Sequence, residues 1–277
     1  MNSVVRDNVY NIKNFLVSKK YNVYRGHSSK RVTPNAFQTW GPNVRFATVP
    51  TKTGNLWFIT EPSNDVTGTI QYSNRGALSN NSCVISDNEY NRIKTLVSTF
   101  HDPINEILGH TNSDIVVNHA VATDHNLYID NSNNSRVVLI GDSFYVQDPI
   151  LAQGLNVCIE DSTLFLLCLL ESFNGGGSTN DGSDYEEITK LINMSSNNNN
   201  QSYDTVLPRA ISLFYKRKYN RINKLFYLTQ ITNTVGMLPT QKQCKIRDYM
   251  FINIFPSSIK GYVFDQSIAH SLDTYIK

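Results

Sequence analysis

The first 130 residues are patterned for strands. Residues 21–26 alternate polar and apolar positions, and residues 43–50 alternate again. Thr53-Gly54 is a turn signal, and residues 55–60 return as a hairpin partner. A sheet is therefore expected over residues 20–75, mostly antiparallel, with one more strand at residues 66–72 and one face covering a cleft. Helical spacing then appears at residues 87–100, with Ser86 as its cap and Ile93, Leu96 and Val97 on one face. Asp102-Pro103 restarts a short helix ending near Gly109. Strands are expected at residues 114–121 and, as a β-branched run, at residues 137–140.

The second half is patterned for helices. Residues 155–173 carry apolar positions at Val157, Ile159, Leu164, Leu167 and Leu170. Residues 203–237 form a long helical pattern, bent at Pro208, and residues 246–255 form another, stopped by Pro256. Between them, residues 174–202 hold Gly175-Gly176-Gly177 and the run Asn197 to Asn200. This segment is expected as an inserted low-complexity surface loop around a weak helix at residues 185–194. The organisation is thus a sheet region with inserted helices (1–130), a strand–loop–helix (131–173), the loop (174–202) and C-terminal helices (203–277).

Composition narrows the class. At 277 residues, 40% hydrophobic and 17% charged, the chain can bury a sizeable core. A net charge of +2 gives no field suited to nucleic acid or a membrane surface. The longest apolar run, residues 164–170, is far short of a membrane span. The N-terminus has no apolar leader, and the four cysteines are scattered without redox or metal spacing. An intracellular, reducing compartment is the expectation. The histidines show no metal-ligand spacing, so no metal site is expected. Lys216 to Lys218 with Arg221 is read as the solvated face of a helix.

The chemistry concentrates in residues 136–161. A short run ends in Gly141-Asp142, a loop with Pro149 follows, and Gln153-Gly154 opens an apolar helix that carries Glu160-Asp161. A Gly-Asp pair at a loop's start presents one carboxylate to ligand hydroxyls, and a Gly at a helix mouth lets free N–H groups approach an acceptor. The stretch resembles the second flavin-binding motif of the FAD-dependent aromatic hydroxylases, the family of p-hydroxybenzoate hydroxylase, and within it is nearest to the zeaxanthin epoxidases. Asn2-Ser3-Val4-Val5-Arg6 is similar to the tail of the family's Asp-Gly-x-x-Ser-x-Val-Arg motif. Residues 215–221, with Arg217, and Ile246-Arg247-Asp248 resemble its C-terminal helices. Tyr145 stands where the family has His, and Ala152 where it has the first Gly of Gly-Gln-Gly.

The resemblance implies an α/β flavoprotein monooxygenase fold, an α+β mixture in which a mostly antiparallel substrate-covering sheet precedes C-terminal helices. It implies FAD, reduced by NADPH or NADH, and oxygen insertion into an aromatic or unsaturated small molecule through a flavin C4a-hydroperoxide. Asp142 would bind the ribitol, Gly141 would let the chain pass close, and Pro149 would sit near the flavin face. The N–H groups of Gly154, Leu155 and Asn156 would meet the ring's pyrimidine edge. Ser3 and Arg6 would stand on the flavin's other side. Arg25, Trp40, Arg45 and Trp57 would floor the substrate pocket. No Gly-x-Gly-x-x-Gly occurs among the 277 residues, so a partial chain lacking the N-terminal dinucleotide-binding unit is expected. A non-catalytic remnant or binding module of the same fold, and another flavin oxidoreductase such as a geranylgeranyl reductase-like enzyme, remain alternatives. The resemblance leaves the catalytic residues, the substrate and the oligomeric state open.

Overall fold

Alternation between residues 16 and 62 becomes four strands in the computed structural model, which describes residues 3–10, 12, 16–63, 82–111, 115–124, 136–173, 203–256 and 258. The described residues form two compact bodies. One draws on the stretches Met1–Val17, Ala122–Thr229 and Ser258–Lys277, the other on Ser18–Val121 and Gln230–Ser257.

The second body is built on a six-stranded sheet. Its strands are β1 (Leu16–Ser28), β2 (Phe37–Gly41), β3 (Val44–Pro50), β4 (Asn55–Pro62), β5 (Ser82–Val84) and β6 (Val116–Thr123), in the order β2-β3-β4-β1-β6-β5. The pairs β2–β3, β3–β4, β4–β1 and β5–β6 are antiparallel. Tyr24 and Phe46 both pair with Ile59, and Thr48 pairs with Trp57. With a side-chain period of two, Tyr24, Phe46, Trp57 and Ile59 therefore share one face, and all are buried. Helices α2 (Asp87–Leu96) and α3 (Ile104–Gly109) cover this face with Ile93, Ile104, Ile107 and Leu108. Ser86 caps α2 by accepting from Glu89 N at 3.3 Å. The expected face of α2 holds for Ile93 and Val97, whereas Leu96 is exposed. Trp57 belongs to this core, its Nε1 donating to Thr111 Oγ1 at 2.8 Å, and so does not share a face with Arg25 and Arg45.

The opposite face meets the end of α5 (Tyr203–Gly236) and α6 (Gln241–Asn253). Thr60 donates to Met237 Sδ at 3.6 Å, and Asn43 N donates to Leu238 O at 3.0 Å. The guanidiniums of Arg45 and Arg247 lie over the Trp40 ring, at 5.4 and 5.6 Å from its centroid. Arg247 also donates to Trp40 O at 2.8 Å. Helix α6 begins five positions before the expected 246, because Thr240 caps it by accepting from Gln243 N at 3.3 Å.

In the first body, α1 (Val4–Val9), α4 (Gly154–Phe173) and the first part of α5 surround a core of Leu139, Phe144, Leu164, Cys168, Ile211, Phe214, Tyr215 and Ile222. Pro208 lies in the first two turns of α5. The expected strand at residues 137–140 is not one. The segment is extended at Ile140 (φ −128°, ψ 158°), but tyrosine hydroxyls take the place of a sheet ladder. Tyr10 Oη donates to Val137 O at 2.7 Å, and Tyr215 Oη accepts from Leu139 N at 2.8 Å. These bonds satisfy buried backbone groups that would otherwise demand a neighbouring strand. The expected strand at 66–72 and loop at 174–202, with its weak helix, lie outside the described residues.

Glu89 and Glu61 share a polar knot with Tyr24 and Arg92. Tyr24 Oη lies 2.7 Å from Glu61 Oε1 and 2.9 Å from Glu89 Oε1, and Arg92 bonds both carboxylates. The hydrogen bond from Arg92 holds the Glu89 carboxyl below the usual carboxylate range, against an opposing effect of burial. A folded pKa below the unfolded one adds stability above the unfolded carboxylate range, and that stability is lost as the pH falls through the folded value. Replacement Glu89→Gln is expected to cost about 0.5–1 kcal/mol in urea unfolding at pH 7 and close to nothing below about pH 3. An equal cost at both pH values would show that the charge contributes nothing.

Candidate functional site

The turn at Gly141 is held by three neighbours. Gly141 to Ser143 make a single 3-10 turn, with Gly141 at φ +53°, a conformation that disfavours any side chain. Space adds a second constraint, since a Cβ here would lie 3.0 Å from Cys158 Sγ and 3.2 Å from its Cβ. Ser143 Oγ closes the turn by donating to Ile140 O at 2.6 Å. From the N-terminal side, buried Arg6 donates to Ser143 O at 3.4 Å, and Ser3 caps α1 so that Arg6 faces this way. The structure thus joins Arg6 to the Gly141-Asp142 turn across more than a hundred residues of sequence.

Beneath the turn, Asp161 of α4 accepts from Gly141 N at 2.7 Å and bonds Lys218 of α5. Both side chains of this ion pair are almost wholly buried, at 1% exposure for Asp161 and 1% for Lys218. Burial pushes the Asp161 carboxyl up and the Lys218 ammonium down, and each charge opposes the other's shift. One turn along, Arg221 donates to Glu160 Oε1 at 3.0 Å, and Arg217 donates to Glu171 Oε2 at 2.8 Å. The solvated face expected over residues 216–221 is therefore corrected. Lys216 is exposed, but Lys218 and Arg221 are buried because acidic partners on α4 meet them.

Asp142 is placed differently from its neighbours. Its side chain reaches solvent, and its carboxylate accepts no hydrogen bond from another described residue. Crowding by surrounding atoms raises its pKa. Pro149 is exposed at the head of a second 3-10 turn, where Asp148 accepts from Ile150 N at 3.0 Å. Ala152 follows at φ 54°, ψ 32°. The residue adopts a left-handed conformation although it carries a Cβ. Gln153 then shapes the helix entry. Its carbonyl accepts from Val157 N at 2.9 Å, and its side chain accepts from Asn156 Nδ2 at 2.9 Å.

Gly154, Leu155 and Asn156 are exposed in the first turn of α4. Their N–H groups precede the first intrahelical donor, so all three face outward at the positive end of a 20-residue helix. Gly154 has open space beside it, and a Cβ added there would meet nothing within 4 Å. Gln147, earlier in the loop, is buried, and its Nε2 has no hydrogen-bond partner among the described residues. Among the described residues, a carboxylate and three helix-terminal amides without hydrogen-bond partners suit a ligand with hydroxyl donors and ring acceptors. Neither Gln147 nor the Lys218 pair stands out in the sequence. The signal for Lys218 is its place four residues after Phe214, on the buried stripe of α5. For Gln147 no sequence signal exists, because a free amide is visible only once its neighbours are placed. Among the described residues no cluster of His, Cys, Asp or Glu is placed to hold a metal, and no helix is long and apolar enough to cross a membrane.

Two substitutions test this architecture. Replacement Lys218→Met leaves Asp161 buried without its cation and is expected to cost about 3–5 kcal/mol in urea unfolding. Adding Asp161→Asn removes the orphan charge while keeping an acceptor for Gly141 N, and should recover most of the loss. A double variant as unstable as Lys218→Met would contradict the buried-charge account. At the loop, Ala152→Gly relieves a left-handed conformation costing about 1–2 kcal/mol and adds about 0.5–1 kcal/mol of chain entropy. The net expectation is a rise of roughly 1–2 °C in Tm; a fall of that size would show that the Ala152 methyl makes a useful contact.

No model of a known protein family matches the chain, and no curated protein does. Solved structures do match. CtdE in complex with FAD and a substrate is similar at 13% identity and a TM-score of 0.57, over 99% of this chain and 60% of that one. HpxO of Klebsiella pneumoniae, complexed with FAD and uric acid, is similar at 12% identity and a TM-score of 0.51, over 97% of this chain and 58% of that one. The Pseudomonas aeruginosa protein pqsL, described as a probable FAD-dependent monooxygenase, is similar at 11% identity and a TM-score of 0.53, over 88% of this chain and 56% of that one. The chain therefore spans less than two thirds of the length of these proteins. Over that span it has the fold of the FAD-dependent, aromatic-hydroxylase-like monooxygenases.

Proposed function

We propose that this chain supplies the ring-binding portion of an FAD-dependent monooxygenase that uses NADPH or NADH and acts on an aromatic or unsaturated small molecule. The observation that carries the reading is the trio of outward N–H groups at Gly154, Leu155 and Asn156, set in one loop–helix unit with the Asp142 carboxylate, which accepts no hydrogen bond from another described residue. The fold shared with CtdE and HpxO, whose structures contain FAD, supports it. The residues fit the cofactor. Asp142 would accept from ribitol hydroxyls, the three amides would donate to the pyrimidine edge, and Pro149 would lie near the ring face. Arg6, through Ser143 O, holds the turn that carries Asp142. Bound flavin, reduced by the nicotinamide, supplies dioxygen activation and transfer of one oxygen atom to the substrate. The helix N-terminus would favour negative charge on the ring by roughly 1 kcal/mol.

One observation favours a non-catalytic member of the same fold as second reading. Tyr145 and Ala152, both in the loop between Gly141 and Gly154, depart from the family pattern. Flavin titration of the purified chain tests the main reading. Riboflavin and FAD are expected to bind weakly and alike, because only the ring and ribityl portions find partners here, while ADP should not bind. Asp142→Ala should weaken riboflavin binding by about tenfold, the loss of a charge-assisted hydrogen bond. No saturable flavin binding, or ADP binding as tightly as riboflavin, would overturn the proposal.

A further inference from the structure

The side chain at a helix N-cap decides which first-turn N–H groups stay available. Ser, Thr, Asp and Asn there place an oxygen where it accepts from the N–H two or three residues on. This chain uses the device repeatedly. Ser3 accepts from Arg6 N in α1, Ser86 from Glu89 N in α2, and Thr240 from Gln243 N in α6. The six-residue α3, with Pro103 at its cap, has no such bond. In α4 the cap is Gln153, whose carbonyl accepts from Val157 N at 2.9 Å. Its side chain is buried and is held elsewhere. Oε1 accepts from Asn156 Nδ2 at 2.9 Å, and Nε2 donates to Leu151 O at 3.4 Å. Among the described residues, none accepts from the N–H groups of Gly154, Leu155 or Asn156.

Side-chain length accounts for the difference. Gln carries its amide one methylene further out than Asn, so its oxygen reaches past the Leu155 and Asn156 N–H groups and meets the Asn156 side chain instead. That bond ties the first turn together without drawing on its backbone donors. We propose that Gln153 is a positioning residue of the ring site, which keeps the first turn of α4 uncapped and so leaves its N–H groups to the ring acceptors of the ligand. This assignment rests on the flavin reading and deepens it. An uncapped helix start forgoes the stability that a cap would add, and in return its donors have no competitor within the chain. Position 153 is thus a place where helix stability and ligand affinity oppose each other.

The test compares the wild-type chain with Gln153→Asn, one methylene shorter and a strong N-cap, and with Gln153→Met, of similar length to Gln and unable to cap. Each is titrated with riboflavin, and each is melted and followed by amide hydrogen exchange without ligand. The proposal expects Gln153→Asn to bind riboflavin about tenfold more weakly and to melt no lower than the wild type. It also expects the Leu155 or Asn156 amide of that variant to exchange about fivefold more slowly. Gln153→Met should keep the wild-type affinity and exchange rates within about twofold. A purely packing role would instead weaken binding in both variants. Wild-type affinity or unchanged exchange in Gln153→Asn, weakened binding there with a lowered Tm, or an equal loss of affinity in Gln153→Met overturns the assignment and leaves the flavin reading standing. Absence of saturable riboflavin binding to the wild-type chain overturns the flavin reading, and this assignment falls with it.

Discussion

The Asp161 carboxylate is the joint on which the first body depends. One oxygen receives the Gly141 amide, the other the Lys218 ammonium. Turn, α4 and α5 therefore meet at a single side chain that water does not reach. Desolvation makes such a pair costly to assemble and more costly to break. Its value is in placement. Among the described residues no strand runs beside the left-handed Gly141 turn, so the position of the Asp142 carboxylate follows from where Asp161 holds the backbone. Arg6 adds a second hold through Ser143 O. The tyrosines at 10 and 215 perform the same service for residues 137 and 139.

Much of this was legible in the chain, and the exceptions share a cause. Alternation and turn chemistry located β1, β3 and β4, and capping by Ser86 located α2, because these depend on local pattern. The helix at 154–173 and the stop before Pro256 were readable for the same reason. Residues 137–140 misled because β-branched apolar runs look alike whether they pair with a strand or run beside tyrosines; the deciding partners lie at positions 10 and 215. Strand β2 went unread, its five residues being too short to show a period. Lys218 and Arg221 looked solvated because charge in a helix is usually exposed. Only the partners on α4, some sixty residues away, make them interior.

The sheet body shows a similar division. Its apolar face, with Tyr24, Phe46, Trp57 and Ile59, is closed by α2 and α3. Its other face is polar and ordered by stacking, with Arg45 and Arg247 over Trp40 and Phe251 edge-on at 6.3 Å. From sequence alone, Trp40 and Trp57 looked like parts of one surface. Register separates them, since Trp57 pairs with Thr48 while Trp40 pairs with Arg45, and residues 45 and 48 of one strand point to opposite sides.

The two glycines of the loop–helix unit answer to different masters. Gly141 is fixed by the protein itself, through its positive φ and through Cys158 lying against it. Gly154 meets no such constraint among the described residues, where a methyl group would have open space. A side chain at 141 would therefore disturb the fold, whereas one at 154 would leave it in place. Among sister sequences, position 141 is therefore expected to hold glycine, and position 154 to vary wherever the fold alone decides.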